Sequence, residues 1–89
     1  MIARLHGTVL RHATSGTPDT VAVTELRGIT TRPDLLGEVA GMFAASDYPW
    51  PERNQRAVAL LLAAGADRDV MAAHETVVRA RLSRRPPAY

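Results

Sequence analysis

The sequence contains no cysteine, which excludes disulfides, thiolate metal sites and a thiol nucleophile and leaves packing alone to hold the core. It also contains no lysine; all eleven basic residues are arginine. With the abundance of alanine and valine, that absence reads as the coding bias of a GC-rich, bacterial genome, and it also removes side-chain amines as chemical handles. Aromatics are scarce: Phe43, Tyr48, Trp50 and Tyr89. No apolar run approaches the length of a membrane span, the longest being residues 57 to 64, and the opening residues lack a signal-peptide stretch. These absences lead us to expect a cytoplasmic protein without a membrane association. HExxH pairs, GxSxG elbows and phosphate-cradling glycine loops are missing too, so we expect no enzyme activity, cofactor, metal or small-molecule substrate.

What is present is a sorted distribution of charge. The first eighteen residues carry Arg4 and Arg11 and no acid, residues 19 to 75 hold all nine acids against five arginines, and Arg79, Arg81, Arg84 and Arg85 follow with no acid after Glu75. The formal net charge of +2 therefore conceals a basic C-terminal end. Such an end offers a docking place for an acidic protein surface or a phosphate backbone, and the spacing does not choose between them.

At 89 residues, 46% of them apolar, the chain is sized for a single small domain over residues 1 to 89. We expect a mainly α fold with a three-helix unit over residues 31 to 85. Thr31-Arg32-Pro33-Asp34 fits a capping box at the start of the first of these helices. Leu35, Leu36, Val39, Met42 and Phe43 then form a buried stripe, and Gly37, Gly41, Ala44 and Ala45 form a small-residue face suited to close helix packing. Two prolines end that helix around Tyr48 and Trp50. Pro51 opens the second, in which Glu52 and Arg56 are spaced for an ion pair and the apolar second half suits a central element. Gly65 suits its left-handed C-cap and Asp67 the N-cap of the third. The two-residue link makes the second and third helices an antiparallel or sharply angled pair. In the third, Val70, Met71, His74, Val77, Val78 and Leu82 share a face, Glu75 and Arg79 pair, and residues 86 to 89 form a tail.

Residues 1 to 30 are more ambiguous. Thr8-Val9-Leu10 and Thr20-Val21-Ala22-Val23-Thr24 are rich in β-branched side chains and flank the turn-forming segment 14 to 19, which favours a β-hairpin packed before the helical unit. The alternative is a short helix over 18 to 27, capped by Thr17 and stopped at Gly28. On the hairpin reading His6 and His12 are too far apart to share a metal.

Candidate partner-binding residues are Arg79, Arg81, Arg84 and Arg85, with His74 on the same helix, and the aromatic loop residues Tyr48 and Trp50. The ordinary role for Trp50 is to close the core at the helix junction, and for His74 to be a core or interface residue. Gly28-Ile29-Thr30-Thr31-Arg32-Pro33 followed by Leu35-Leu36 resembles the turn and second-helix start of helix-turn-helix DNA binders. The departures are Thr24 or Val23 where that pattern wants a small residue, and Asp34 and Glu38 on a would-be reading helix that phosphates would repel. Residues 60 to 67 resemble the end of an ankyrin repeat, and Pro86-Pro87-Ala88-Tyr89 resembles a PPxY ligand of WW domains. None extends far enough to imply a family. The composition and motifs together point to a non-catalytic protein-interaction or adaptor module that binds another protein or a second copy of itself, with a nucleic-acid-binding regulator as the alternative.

Overall fold

The structure, a computed structural model, describes residues 1 to 46 and 49 to 83. Five helices follow one another: α1 (Ile2–Ser15), α2 (Asp19–Ile29), α3 (Pro33–Ala45), α4 (Pro51–Ala63) and α5 (Arg68–Ser83). Among the described residues there is no strand. The expected hairpin is therefore corrected to a helical pair, of which α2 corresponds to the alternative short helix.

The cause lies in spacing. Leu5, Val9, His12 and Ala13 recur at helical intervals and are all buried, as are Ala22 and Leu26 on α2. Burying one apolar face outweighs the modest strand preference of the β-branched residues. Two threonines also fit helices by turning inward, with Thr14 Oγ1 donating to the Leu10 carbonyl and Thr24 Oγ1 to the Thr20 carbonyl, both at 2.8 Å. Gly16, at φ 73°, supplies the left-handed stop after α1, so the turn-rich segment joins two helices instead of two strands. Helix α2 runs through Gly28 to Ile29 and begins after Pro18 without a side-chain cap.

The core gathers Leu5 and Val9 of α1, Leu26 of α2, Leu36, Val39 and Phe43 of α3, and Leu60 and Leu61 of α4. Helix α3 is the most enclosed and packs on α1, α4 and α5; α4 packs on α1, α2 and α3. The C-terminus of α4 closes in a Schellman motif, with Gly65 N donating to the Leu62 carbonyl and Ala66 N to the Leu61 carbonyl. Gly65 has φ 109°. Asp67 caps α5, its Oδ1 accepting from Asp69 N at 2.8 Å and Val70 N at 3.0 Å.

Two local expectations are corrected. No capping box opens α3: its N-cap is Arg32, whose guanidinium takes up the Asp34 carboxylate, and Thr30 Oγ1 accepts from Arg32 N. Arg56 does not pair with Glu52; it donates to the Thr17 carbonyl and lies 3.4 Å from Asp19, tying α4 to the α1–α2 turn. Finally, α5 runs antiparallel to α4, as the two-residue link implies, but makes its main contact along α3.

That α3–α5 contact is made at backbone distance. A Cβ added at Gly37 would stand 2.8 Å from the Asp67 carbonyl oxygen and 3.0 Å from Val70 Cβ. At Gly41 it would meet the Met71 carbonyl oxygen at 2.8 Å and both Glu75 N and His74 Cβ at 2.9 Å. The order of contacts shows the two helices to be parallel. Asp67 N donates to the Pro33 carbonyl at 3.0 Å near the start of both, and Arg79 Nη2 donates to the Ala44 carbonyl at 2.9 Å near the end of α3.

Alanine is favoured over glycine in a helix by about 1 kcal/mol, so the sign of a glycine replacement reports the contact. Gly41→Ala should lower stability, by about 1–3 kcal/mol, because backbone atoms have to move. Gly28→Ala, with nothing within 4 Å of its new Cβ, should raise it by about 0.4–1 kcal/mol. Urea denaturation of both variants checks this; an unchanged Gly41→Ala midpoint would mean that α5 is not held at this distance.

Candidate functional site

Helix α5 has no buried residue and leans chiefly on α3, although it is the longest of the five. Val70, Met71, His74, Glu75 and Val78, all half-buried, lie toward the rest of the molecule. On its other side Ala73, Val77 and Ala80, spaced i, i+4 and i+7, are exposed; Val77 keeps 45% of its surface. Because Arg79 already stands level with the end of α3, the last turn of α5 overhangs, and Leu82 is left 43% exposed beside Arg81.

The overhang has a consequence on its inner side. A cleft of about 370 Å³ opens between α5 and the body of the protein, lined by His74, Val78 and Arg81 of α5, Met42 and Phe43 of α3, and His6 and Leu10 of α1. Ser46 and two residues of α4, Arg53 and Asn54, complete it. The His6 ring stacks on Phe43 with centroids 4.6 Å apart and 9° between planes. Arg53 is positioned twice: its Nε donates to Asn54 Oδ1 at 3.0 Å, and its guanidinium carbon lies 5.8 Å from the centroid of the Trp50 ring. Asn54, buried, donates in turn to the carbonyls of Ser46 and Phe43, so the final turn of α3 is satisfied by an α4 side chain. Arg53 and Arg81 have no carboxylate partner among the described residues.

The residues singled out from sequence are thus divided. Arg79 is committed to Glu75, at 2.9 Å, and to the Ala44 carbonyl, which makes it a clamp between helices. Arg81 and His74 come together in the cleft. Trp50 does not close the core; it is 58% exposed at the N-cap of α4, and the leucines and Phe43 fill the interior instead. Tyr48, Arg84 and Arg85 lie outside the described residues. Gly37 and Gly41 face α5, while Ala44 is half-buried and Ala45 buried at the end of α3. His6, Arg53 and Asn54 were missed as site residues. The helical recurrence of Leu5, Val9 and Ala13 is the signal that places His6 beside the core, whereas nothing in the local sequence announces Arg53 or Asn54.

His12 lies on a different part of α1. Its Nε2 is 2.6 Å from Glu25 Oε2, and the same carboxylate binds Arg11, so α1 and α2 are joined by a shared acid. Hydrogen bonding from His12 and Arg11 lowers the Glu25 pKa. No group of three potential metal ligands is found among the described residues, and none of the helices is long and apolar enough to cross a membrane. No family model, curated protein or solved structure matches the chain.

Burial, and then repulsion from Arg53, hold the His6 pKa below its ordinary 6.5. The unfolded chain therefore binds the proton more readily. The His6 contribution to stability is complete above pH 6.5 and is lost as the pH falls through the folded value. Glu25 acts in a lower window, its contribution being lost as the pH falls below 4.5 through its own depressed pKa. Replacing His6 by Asn should therefore flatten the decline in stability that sets in below pH 6.5, whereas Glu25→Gln should act below 4.5. Urea midpoints measured at half-unit pH intervals test both assignments.

Proposed function

We propose that the chain is a non-catalytic protein-interaction module whose docking element is α5 and whose partner presents an acidic segment beside an apolar ridge. The observation that carries this reading is the outward stripe of Ala73, Val77 and Ala80 on a helix braced from one side only. Small side chains at helical spacing allow a partner helix to approach closely, as Gly37 and Gly41 do for α5 itself. The charge of the partner follows from the absence of any acid after Glu75, with Arg81, Arg84 and Arg85 continuing the chain beyond the stripe. Trp50, exposed and stacked with Arg53, is a second apolar anchor of the kind enriched in interfaces. Catalysis is no part of this reading.

The nucleic-acid alternative loses its recognition helix. In a helix-turn-helix reading α3 would enter the groove, yet seven of its residues are buried and α5 lies along its glycine face. Only non-selective phosphate contacts from the basic end of α5 are left for that reading.

Affinity capture from the native host with wild-type protein and with Val77→Asp, each with and without nuclease, is the test. A protein retained after nuclease treatment, lost with Val77→Asp and weakened rather than abolished by Arg81→Gln, Arg84→Gln and Arg85→Gln together is the expected outcome. Helical circular dichroism should be unchanged in Val77→Asp, since that side chain faces solvent. Recovery of a second copy of the chain would make the module self-associating, and release by nuclease would favour the nucleic-acid reading.

A further inference from the structure

We propose that the cleft under the overhang of α5 binds a small organic anion, with its acidic group held between Arg53, Arg81 and the two histidines and its apolar body against Leu10, Met42, Phe43 and Val78. The proposal concerns the inner side of α5 and shares Arg81 with the docking reading of its outer face.

Three observations support it together. First, the lining is one-sided in charge: Arg53, Arg81, His6 and His74 come from three different helices, and no carboxylate of the described residues is among the lining groups. Arg11, Arg32, Arg56 and Arg79 each have an acid; Arg53 and Arg81, like Arg4, Arg27 and Arg68, have none among the described residues, and what sets these two apart is that they line one cleft together. Second, the Arg53 cation is pre-positioned. Asn54 and Trp50 fix its orientation through Nε and the ring face, which leaves its terminal nitrogens for an oxyanion and reduces the ordering cost of binding. Third, the floor is apolar and the volume, about 370 Å³, lies in the range of small-ligand sites.

A simpler account of the cations is that they offset the negative end of the α3 dipole. That end already has its donors: Asn54 serves the carbonyls of Phe43 and Ser46, and Arg79 serves that of Ala44. Neither Arg53 nor Arg81 donates to a carbonyl of that end among the described residues. Charge around His6 comes from Arg53 on α4, with Arg81 and His74 of α5 lining the same cleft. An anion among these groups would stabilise protonated imidazole, so binding and proton uptake are coupled and affinity rises as the pH falls.

Benzenesulfonate is a suitable probe because its charge is constant over the relevant pH range. Methanesulfonate and benzyl alcohol supply the head and the body separately. Titration followed by the histidine ring and Phe43 NMR signals should give saturable shifts with benzenesulfonate, at least about tenfold weaker binding with either half, and tighter binding at pH 6 than at pH 8. Arg53→Gln should weaken binding about tenfold or more, corresponding to about 1.4 kcal/mol. His6→Asn should reduce the pH dependence and keep most of the affinity at pH 8. The proposal is overturned if benzenesulfonate produces no saturable shift at millimolar concentration, if benzyl alcohol binds equally well, or if a folded Arg53→Gln variant, verified by its circular dichroism, binds as the wild type does.

Discussion

The structure depends on how closely α3 and α5 approach. A pair of parallel helices separated by ordinary side chains would leave α5, which buries no residue fully, with too little contact to hold its position. Glycine at two places one helical turn apart removes that spacing, so the carbonyls of Asp67 and Met71 come within van der Waals reach of the α3 backbone. Many weak dispersion contacts then replace the large buried side chains that α5 lacks. Two glycines cost α3 about 1 kcal/mol each in helix propensity, an expense that makes sense only when a neighbour occupies the space. The overhang and the cleft follow from this approach: α5 is the longer helix, it runs parallel to α3 from a nearly common start, and among the described residues its inner side there borders the cleft.

Polar side chains then fix the angles that apolar packing leaves loose. The backbone bond from Asp67 N to the Pro33 carbonyl and the Arg79 bond to the Ala44 carbonyl hold α5 near both ends of α3. Asn54 closes the C-terminus of α3 from α4, and Arg56 reaches from α4 to the α1–α2 turn. Glu25 of α2 joins His12 and Arg11 of α1. Beyond that contact, His12 Nδ1 is buried without a hydrogen-bond partner among the described residues. An orphan nitrogen of this kind lowers the net gain of the pair, yet the pair still specifies the register of α1 on α2.

Much of the helical unit was legible because its signals are local. Pro51 opening α4, Gly65 closing it, Asp67 capping α5 and the glycine face of α3 each depend on residues within one or two turns. The N-terminal third misled for the same reason: Thr8, Val9, Val21 and Val23 speak locally for strands, whereas Leu5, Val9, His12 and Ala13 speak for a helix only once a core exists to bury them. Choices between tertiary partners were not legible at all. Arg56 had Glu52 at the right spacing and went to Thr17 and Asp19; Thr31 had a capping role available and Arg32 took Asp34. Of the cleft, His74 and Arg81 could be singled out from their own helix, but His6, Arg53 and Asn54 join them only through the packing of three other elements.

Charge shows most clearly how a pattern along the chain changes meaning in three dimensions. Residues 19 to 75 are acidic by count, which suggests an acidic surface. Within that stretch, however, Asp19, Glu25, Asp34 and Glu75 are engaged with arginines and Asp67 with backbone N–H groups; Asp19 and Glu25 join helices, and the other three act within or at the start of their own. Arg53 belongs to the same acidic stretch and has no acid partner among the described residues, and it lines one cleft with Arg81 of the basic end. The local potential is set by which charges remain unpaired and where the helices bring them, and net charge per segment predicts neither. A basic cleft is consequently assembled from one arginine of the acidic middle and one of the basic end, and the distance between α3 and α5 decides whether the two can act on the same ligand.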